Sequence, residues 1–331
     1  MTKQNKIFFL KEGKAANNLF LSKLQRRSFI RLLANIGANI NQTETRNNTG
    51  CKSRNKMATT RISVFFIFTN LALLLKSTLY AEDVFRFSNL PPSNKESAVL
   101  VLAPGMNTDG AFFLKESPWV DFAKKNNLGI IAINYSSSAE DLFENRKGYF
   151  YPEQGSGQAL LDEISRIYGK NLPIILYGFS GGAQFVSRFV DWTPNRIITW
   201  CAYSAQFWDY PKDGTEVSKA RGIVACGELD GLRWQSSFGF YYKGRQNGRP
   251  WIWVNISNTG HNRSAKFEKF VRQFFDEEIA VWRGNKTLAE DIFSDISNSD
   301  NELLMLSEQP ELQCPFRTKE LLESWKKIQA Q

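Results

Sequence analysis

The chain has 331 residues, 42% of them hydrophobic and 14% aromatic, with a formal charge of +9 and a single histidine, His261. Residues 1–56 hold twelve Lys and Arg against Glu12 and Glu44, a local charge of +10, which leaves 30 basic and 31 acidic residues in the remainder. The basic balance belongs to an N-terminal extension and argues against nucleic-acid binding by the rest of the chain.

Met57 opens a second pattern. Arg61 precedes the apolar run Ile62 to Phe68, followed by Leu71 to Leu75, the polar Lys76-Ser77-Thr78 and the small Ala81. A basic flank, about 14 apolar residues and a small-residue exit describe a secretory signal over 57–81 that is too short to span a bilayer. Residues 1–56 then read as a basic extension, either disordered or ahead of the true start at Met57. Arg26-Arg27-Ser28-Phe29-Ile30-Arg31 offers a second export route, since it resembles a twin-arginine signal. Both routes lead to a secreted or periplasmic protein without a stable membrane span.

The folded domain is expected over 82–282. Ala98 to Leu102 is a continuous apolar run ending in Ala103-Pro104-Gly105, the pattern of a strand buried on both faces. Pro118 marks a helix start, with Trp119, Phe122 and Ala123 at helical spacing. Gly129 to Asn134 is the next strand, and Ser156 to Tyr168 a helix with Leu160, Leu161, Ile164 and Ile167 on one stripe. A strand at 174–177 leads into a helix carrying Phe185, Val186 and Phe189. Strands at 197–202, 222–226 and 251–256 follow, then a helix around Phe267, Phe270, Val271 and Phe274. This alternation predicts a doubly wound, mainly parallel α/β sheet with helices on both faces. Residues 283–331 read as a polar loop, including Asp291 to Glu302, and a helix over Thr318 to Gln329 that packs on the domain. Cys201 and Cys226 read as small buried hydrophobes and Cys314 as part of a polar tail. Their spacing suggests neither a disulfide framework nor a zinc site.

The polar motifs fall just after strands, where such sheets place their sites. Gly178-Phe179-Ser180-Gly181-Gly182 is a G-x-S-x-G between an apolar strand and a helix, the context of a nucleophile elbow. A serine needs a base to take its proton, and His261, after the strand at 251–256, is the sole imidazole. Gly227-Glu228-Leu229-Asp230-Gly231 ends the preceding strand and offers two carboxylates, of which Asp230 is preferred over Glu228 as the triad acid. The order Ser180, Asp230, His261 is nucleophile, acid, base. Two backbone donors would bind an oxyanion: the N–H of Gly181, and that of Met106 in the loop Pro104-Gly105-Met106-Asn107.

With APGMN at 103–107, GSGQALLDEI at 155–164, YGFSGG at 177–182, GELD at 227–230 and TGH at 259–261, the stretch from 98 to about 280 resembles an α/β-hydrolase. It is most similar to secreted esterases of the poly(3-hydroxybutyrate) depolymerase and feruloyl esterase type, in which His-Gly usually stands where this chain has Pro104-Gly105. The resemblance implies an α/β-hydrolase fold and a serine hydrolase that cleaves a small or polymeric carboxylic ester through an acyl-enzyme, with no cofactor and no metal. No large lid is evident, since the segment Ser204 to Lys219 is short. A serine peptidase on the same fold and a catalytically silent binding protein are the alternatives. Phe207, Trp208, Tyr210, Trp234, Phe238, Phe240, Tyr241 and Tyr242, with Tyr149, Phe150 and Tyr151, either line a cleft or pack in the core.

Overall fold

The computed structural model describes residues 83–214, 217–285, 290–296 and 310–329. The expected basic extension at 1–56 and export signal at 57–81 lie outside the described residues. No helix among the described residues is long and apolar enough to cross a membrane.

Seven strands form one sheet. They are β1 (Val84–Asn89), β2 (Ala98–Ala103), β3 (Leu128–Ser136), β4 (Ile174–Phe179), β5 (Ile197–Tyr203), β6 (Arg221–Gly227) and β7 (Trp251–Ile256). Their spatial order is β1-β3-β2-β4-β5-β6-β7, with β1 antiparallel to β3 and every other pairing parallel. All six residues of β2 and all seven of β6 are buried, as the unbroken apolar runs of central parallel strands require. Strand β4 occupies the centre, so its carboxyl end opens in the middle of the sheet edge.

Helices α1 (Ser117–Lys125), α2 (Ser156–Tyr168), α3 (Gly181–Trp192), α4 (Leu232–Gln246) and α5 (Ala265–Trp282) connect or follow the strands. Helices α1 and α5 pack together: Phe122 meets Phe275 at a ring separation of 6.4 Å, and Asn126, just past α1, donates to Asp276 at 2.7 Å. On the other face α2 and α3 approach so closely that a side chain on Gly157 would strike Trp192. The connection from β5 to β6 runs only from 204 to 220, and no helix occurs among its described residues.

Four elements differ from the sequence expectation. Strand β1 went unrecognised because VFRFSN is only partly buried and pairs antiparallel at the sheet border. Helix α4 was not predicted because Trp234, Phe238, Phe240, Tyr241 and Tyr242 do not gather into one stripe. The segment expected to begin a polar loop at Asp291 contains β8 (Ile292–Asp295), which pairs antiparallel with β9 (Gln313–Phe316). Cys314 accordingly sits in β9 and is fully buried, not in a polar tail.

The C-terminal segment covers the outer strand β7. The Trp253 N–H donates to Cys314 Sγ at 3.2 Å, the Trp253 carbonyl accepts from Trp325 Nε1 at 2.7 Å, and the Asn255 N–H donates to Gln329 Oε1 at 3.1 Å. Trp325 and Gln329 belong to α6 (Lys319–Gln329). Side chains thus satisfy backbone groups that a bare edge would leave unpaired.

Candidate active site

Strand β4 ends at Phe179 and helix α3 begins at Gly181, so Ser180 alone makes the turn. Its backbone lies at φ 54°, ψ −114°, a region that costs a side-chain-bearing residue energy and is held by its surroundings. The Ser180 N–H donates to the Tyr203 carbonyl at 2.8 Å, and the Ser180 carbonyl accepts the Ala183 and Gln184 N–H groups that open α3. Gly182 is required because a Cβ there would drive into the Ala103 carbonyl at the end of β2. A strained serine between a central parallel strand and a helix, in this strand order, decides the architecture. The fold is that of an α/β-hydrolase.

His261 follows β7 in a loop that closes at Ser264, whose hydroxyl caps α5 by accepting the Phe267 N–H. Its Nε2 lies 2.9 Å from Ser180 Oγ, and its Nδ1 lies 2.8 Å from Asp230 Oδ2. A carboxylate only accepts, so the shared proton resides on Nδ1 and the Nε2 lone pair faces the serine hydroxyl. The imidazole also stacks on Phe179, with ring centres 5.1 Å apart and planes inclined by 28°. The His261 side chain is 34% exposed and that of Asp230 only 2%, so the chain of three groups runs from the surface inward.

Asp230 is fixed from several sides. Its N–H donates to the Gly227 carbonyl at 3.0 Å, Arg233 Nη1 approaches its Oδ1 at 3.4 Å, and the Cys226 thiol points to its Oδ2 at 3.7 Å. Burial pushes the Cys226 thiol up to about 12, so it stays protonated and can only donate to that oxygen. Glu228, the other carboxylate of the motif, turns away: its Oε2 accepts the Asn258 N–H at 3.0 Å. The Leu229 N–H donates to the Thr259 carbonyl at 2.9 Å, which ties the loop of Asp230 to that of His261.

The two expected backbone donors are neighbours. A Cβ built on Gly181 would fall 2.7 Å from Met106 N and 2.6 Å from Met106 Cα, so only glycine lets the two backbones meet. The same Cβ would fall 2.6 Å from the Tyr149 hydroxyl, which burial holds well above its ordinary phenol range.

Beneath the His261 loop lies a charge network with no counterpart in the sequence reading. Arg263 donates to Glu268 at 2.6 and 2.8 Å and to Glu116 at 2.9 and 2.8 Å. Buried Glu268 also accepts from Tyr177 Oη at 2.8 Å and Trp119 Nε1 at 3.2 Å. Tyr177 is in β4, so the strand that leads into Ser180 and the loop that carries His261 share one carboxylate. Only the nearness of Arg263 to the sole histidine hinted at this; partners at 116, 177 and 268 are set by tertiary packing.

The aromatic residues divide. Tyr149, Phe150, Tyr151, Phe240 and Tyr241 are buried, whereas Phe207 and Tyr210 are exposed. Phe207 pairs with exposed Phe143, which the sequence reading did not single out, at a ring separation of 4.8 Å. Among the described residues no group of three or more His, Cys, Asp or Glu side chains could hold a metal ion.

No family model matches the chain, and no curated protein matches it in sequence. Among solved structures it is similar to LpqC, a poly(3-hydroxybutyrate) depolymerase from Bordetella parapertussis, at 16% identity over 61% of this chain and 86% of that one, with a TM-score of 0.42. It is similar to a ferulic acid esterase at 14% identity over 61% and 98% of the two chains, TM-score 0.42. The S-formylglutathione hydrolase FrmB of Staphylococcus aureus matches at 13% identity over 60% and 98%, TM-score 0.44. Strand order and the elbow, not these scores, define the fold.

Proposed function

We propose that the chain is a serine hydrolase that cleaves carboxylic esters through an acyl-enzyme, with Ser180 as nucleophile, His261 as base and Asp230 as the acid that orients it. The observation that carries this reading is the continuous relay from Ser180 Oγ through His261 to Asp230, with separations of 2.9 and 2.8 Å. His261 Nε2 takes the hydroxyl proton as Oγ attacks the ester carbonyl, and Asp230 stabilises the imidazolium that forms. The N–H groups of Met106 and Gly181 receive the negative charge on the carbonyl oxygen. Collapse of the tetrahedral species expels the alcohol, which takes the proton from His261. Water, activated by the same base, then attacks the acyl-enzyme and releases the acid. This chemistry calls on no cofactor.

The intact relay favours an enzyme over a silent binding protein, and the short β5–β6 connection favours an open site reached by a small or polymeric ester. The signal read at 57–81 places the activity outside the cytoplasm in this proposal, which N-terminal sequencing of the mature protein checks. The decisive experiment compares wild type and Ser180→Ala on a short p-nitrophenyl ester and with a fluorophosphonate label. Wild type is expected to turn over and to label at Ser180; the variant is expected to do neither while keeping its melting temperature. Hydrolysis retained by Ser180→Ala overturns the proposal.

A further inference from the structure

The loop that carries the Met106 N–H has little structure of its own. The Thr108 N–H donates to the Gly105 carbonyl at 3.2 Å, and Thr108 Oγ1 to the Met106 carbonyl at 3.3 Å. What joins the loop to the sheet is the side chain of Asn107. Its Nδ2 donates to the Ser137 carbonyl at 3.0 Å, while its Oδ1 accepts the Ser137 N–H at 3.2 Å. One amide orientation alone satisfies both bonds, because Ser137 offers one backbone donor and one backbone acceptor. Ser137 stands just beyond β3, is 2% exposed, and accepts the Tyr149 N–H on its Oγ at 3.0 Å. Tyr149 in turn sets its hydroxyl against Gly181. Asn107 makes this closed pair from a left-handed backbone at φ 53°, which asparagine tolerates better than most side-chain-bearing residues.

An oxyanion donor is effective because it is aimed before the charge appears, and small displacements waste that advantage. We propose that Asn107 is a positioning residue for the oxyanion site, clamping the 105–108 loop to Ser137 so that the Met106 N–H stays beside the Gly181 N–H. Asn107 does not touch the substrate; it acts through the peptide one residue away. The inference rests on the hydrolase reading and identifies the side chain that sets one of its two donors. The uncharged carbonyl of the bound ester makes little demand on this alignment, whereas the tetrahedral anion depends on it. The loss therefore falls on kcat, not KM.

The test uses the full chain carrying Asn107→Gly, which keeps the left-handed backbone accessible while deleting the clamp, with Asn107→Ala as a second variant. Per active site titrated with a fluorophosphonate, kcat is expected to fall about 10- to 30-fold with KM within about twofold, short of the roughly 10²- to 10³-fold cost of removing a donor outright. A phenylboronic acid, which becomes a tetrahedral anion on Ser180, is expected to bind more weakly by the same factor, while the product carboxylate binds as before. If wild type labels and turns over but Asn107→Gly matches it in kcat per titrated site, the clamp is overturned and the hydrolase reading survives. A loss confined to KM, or equal weakening of boronic acid and product, also overturns it. A wild-type chain that neither labels nor turns over removes both.

Discussion

The carbonyl of Tyr203 accepts the Ser180 N–H at 2.8 Å, and the hydroxyl of the same tyrosine donates to the carbonyl of Asn262, next to His261. One residue at the end of β5 therefore grips the backbone of Ser180 and the backbone beside His261. Burial holds the Tyr203 phenol above its ordinary range, so it remains a donor across the working pH.

Tyr203→Phe removes the bond to Asn262 and leaves the bond from Ser180 in place. A hydrogen bond contributes about 1 kcal/mol net, equivalent to about a fivefold change in rate if it is spent on alignment. The expected result is a kcat about fivefold lower with a nearly unchanged KM, measured by ester hydrolysis. A parallel loss in a Ser180-independent property, such as the urea midpoint, would reassign the bond to stability.

Glu268→Gln strips the carboxylate from beneath the His261 loop. Burial works against the Arg263 charge, but its bonds to Glu116 and Glu268 outweigh that cost. Breaking a buried pair by removing one partner costs about 3–5 kcal/mol, and Glu116 remains to hold Arg263, so about 3 kcal/mol is expected. Urea unfolding of the variant measures this, with the slope of the transition unchanged.

Cys201, Cys226 and Cys314 are buried and free. Burial pushes the Cys226 thiol up to about 12, the Cys314 thiol up to about 11 and the Cys201 thiol well above its ordinary value. The thiolate is the reactive form, so a disulfide reagent at pH 8 is expected to leave all three unmodified in the folded protein. They should react together in denaturant, as peptide mass mapping would read out.

Asp209 links two arginines, Arg146 at 3.0 Å and Arg188 at 2.9 Å. Burial raises its carboxyl, but Arg188 and Arg146 outweigh that and hold it below the ordinary carboxylate range. A carboxyl lowered by folding stabilises the native state above its unfolded pKa of about 3.9, and that stabilisation disappears as pH falls through the folded value. Asp209 is 37% exposed, so solvent screening limits the effect to about 0.5 kcal/mol. Asp209→Asn should lower the melting temperature at pH 7, with the gap to wild type closing below about pH 4.

The sheet was readable wherever strands were central. The runs at 98–102, 174–177 and 222–226 are apolar on both faces, which leaves no ambiguity of period. The outer strand β7 was readable too, but the opposite border and the separate two-stranded sheet were not: VFRFSN owes its pairing to β3, and IFSD to QCPF, partners that local composition does not announce. Ser180 stands out because a strand, two glycines and a helix surround it, and His261 because the sequence holds no other histidine. Asp230 and Glu228 stand at the same strand end, yet Asp230 turns to His261 and Glu228 to the Asn258 N–H, a difference that sequence alone does not display. Residues that act at a distance (Asn107, Tyr203, Arg263, Glu268) were passed over because an amide, a phenol or an ion pair acquires its meaning only from what folding sets opposite it.

The cover that Cys314, Trp325 and Gln329 place over β7 has a temporal side. During synthesis, β7 and the histidine loop leave the ribosome well before α6, so the nascent sheet carries an unguarded border for as long as the last stretch takes to emerge. A chain stalled ahead of Lys319 would present its Trp253 carbonyl to whatever strand lay nearest.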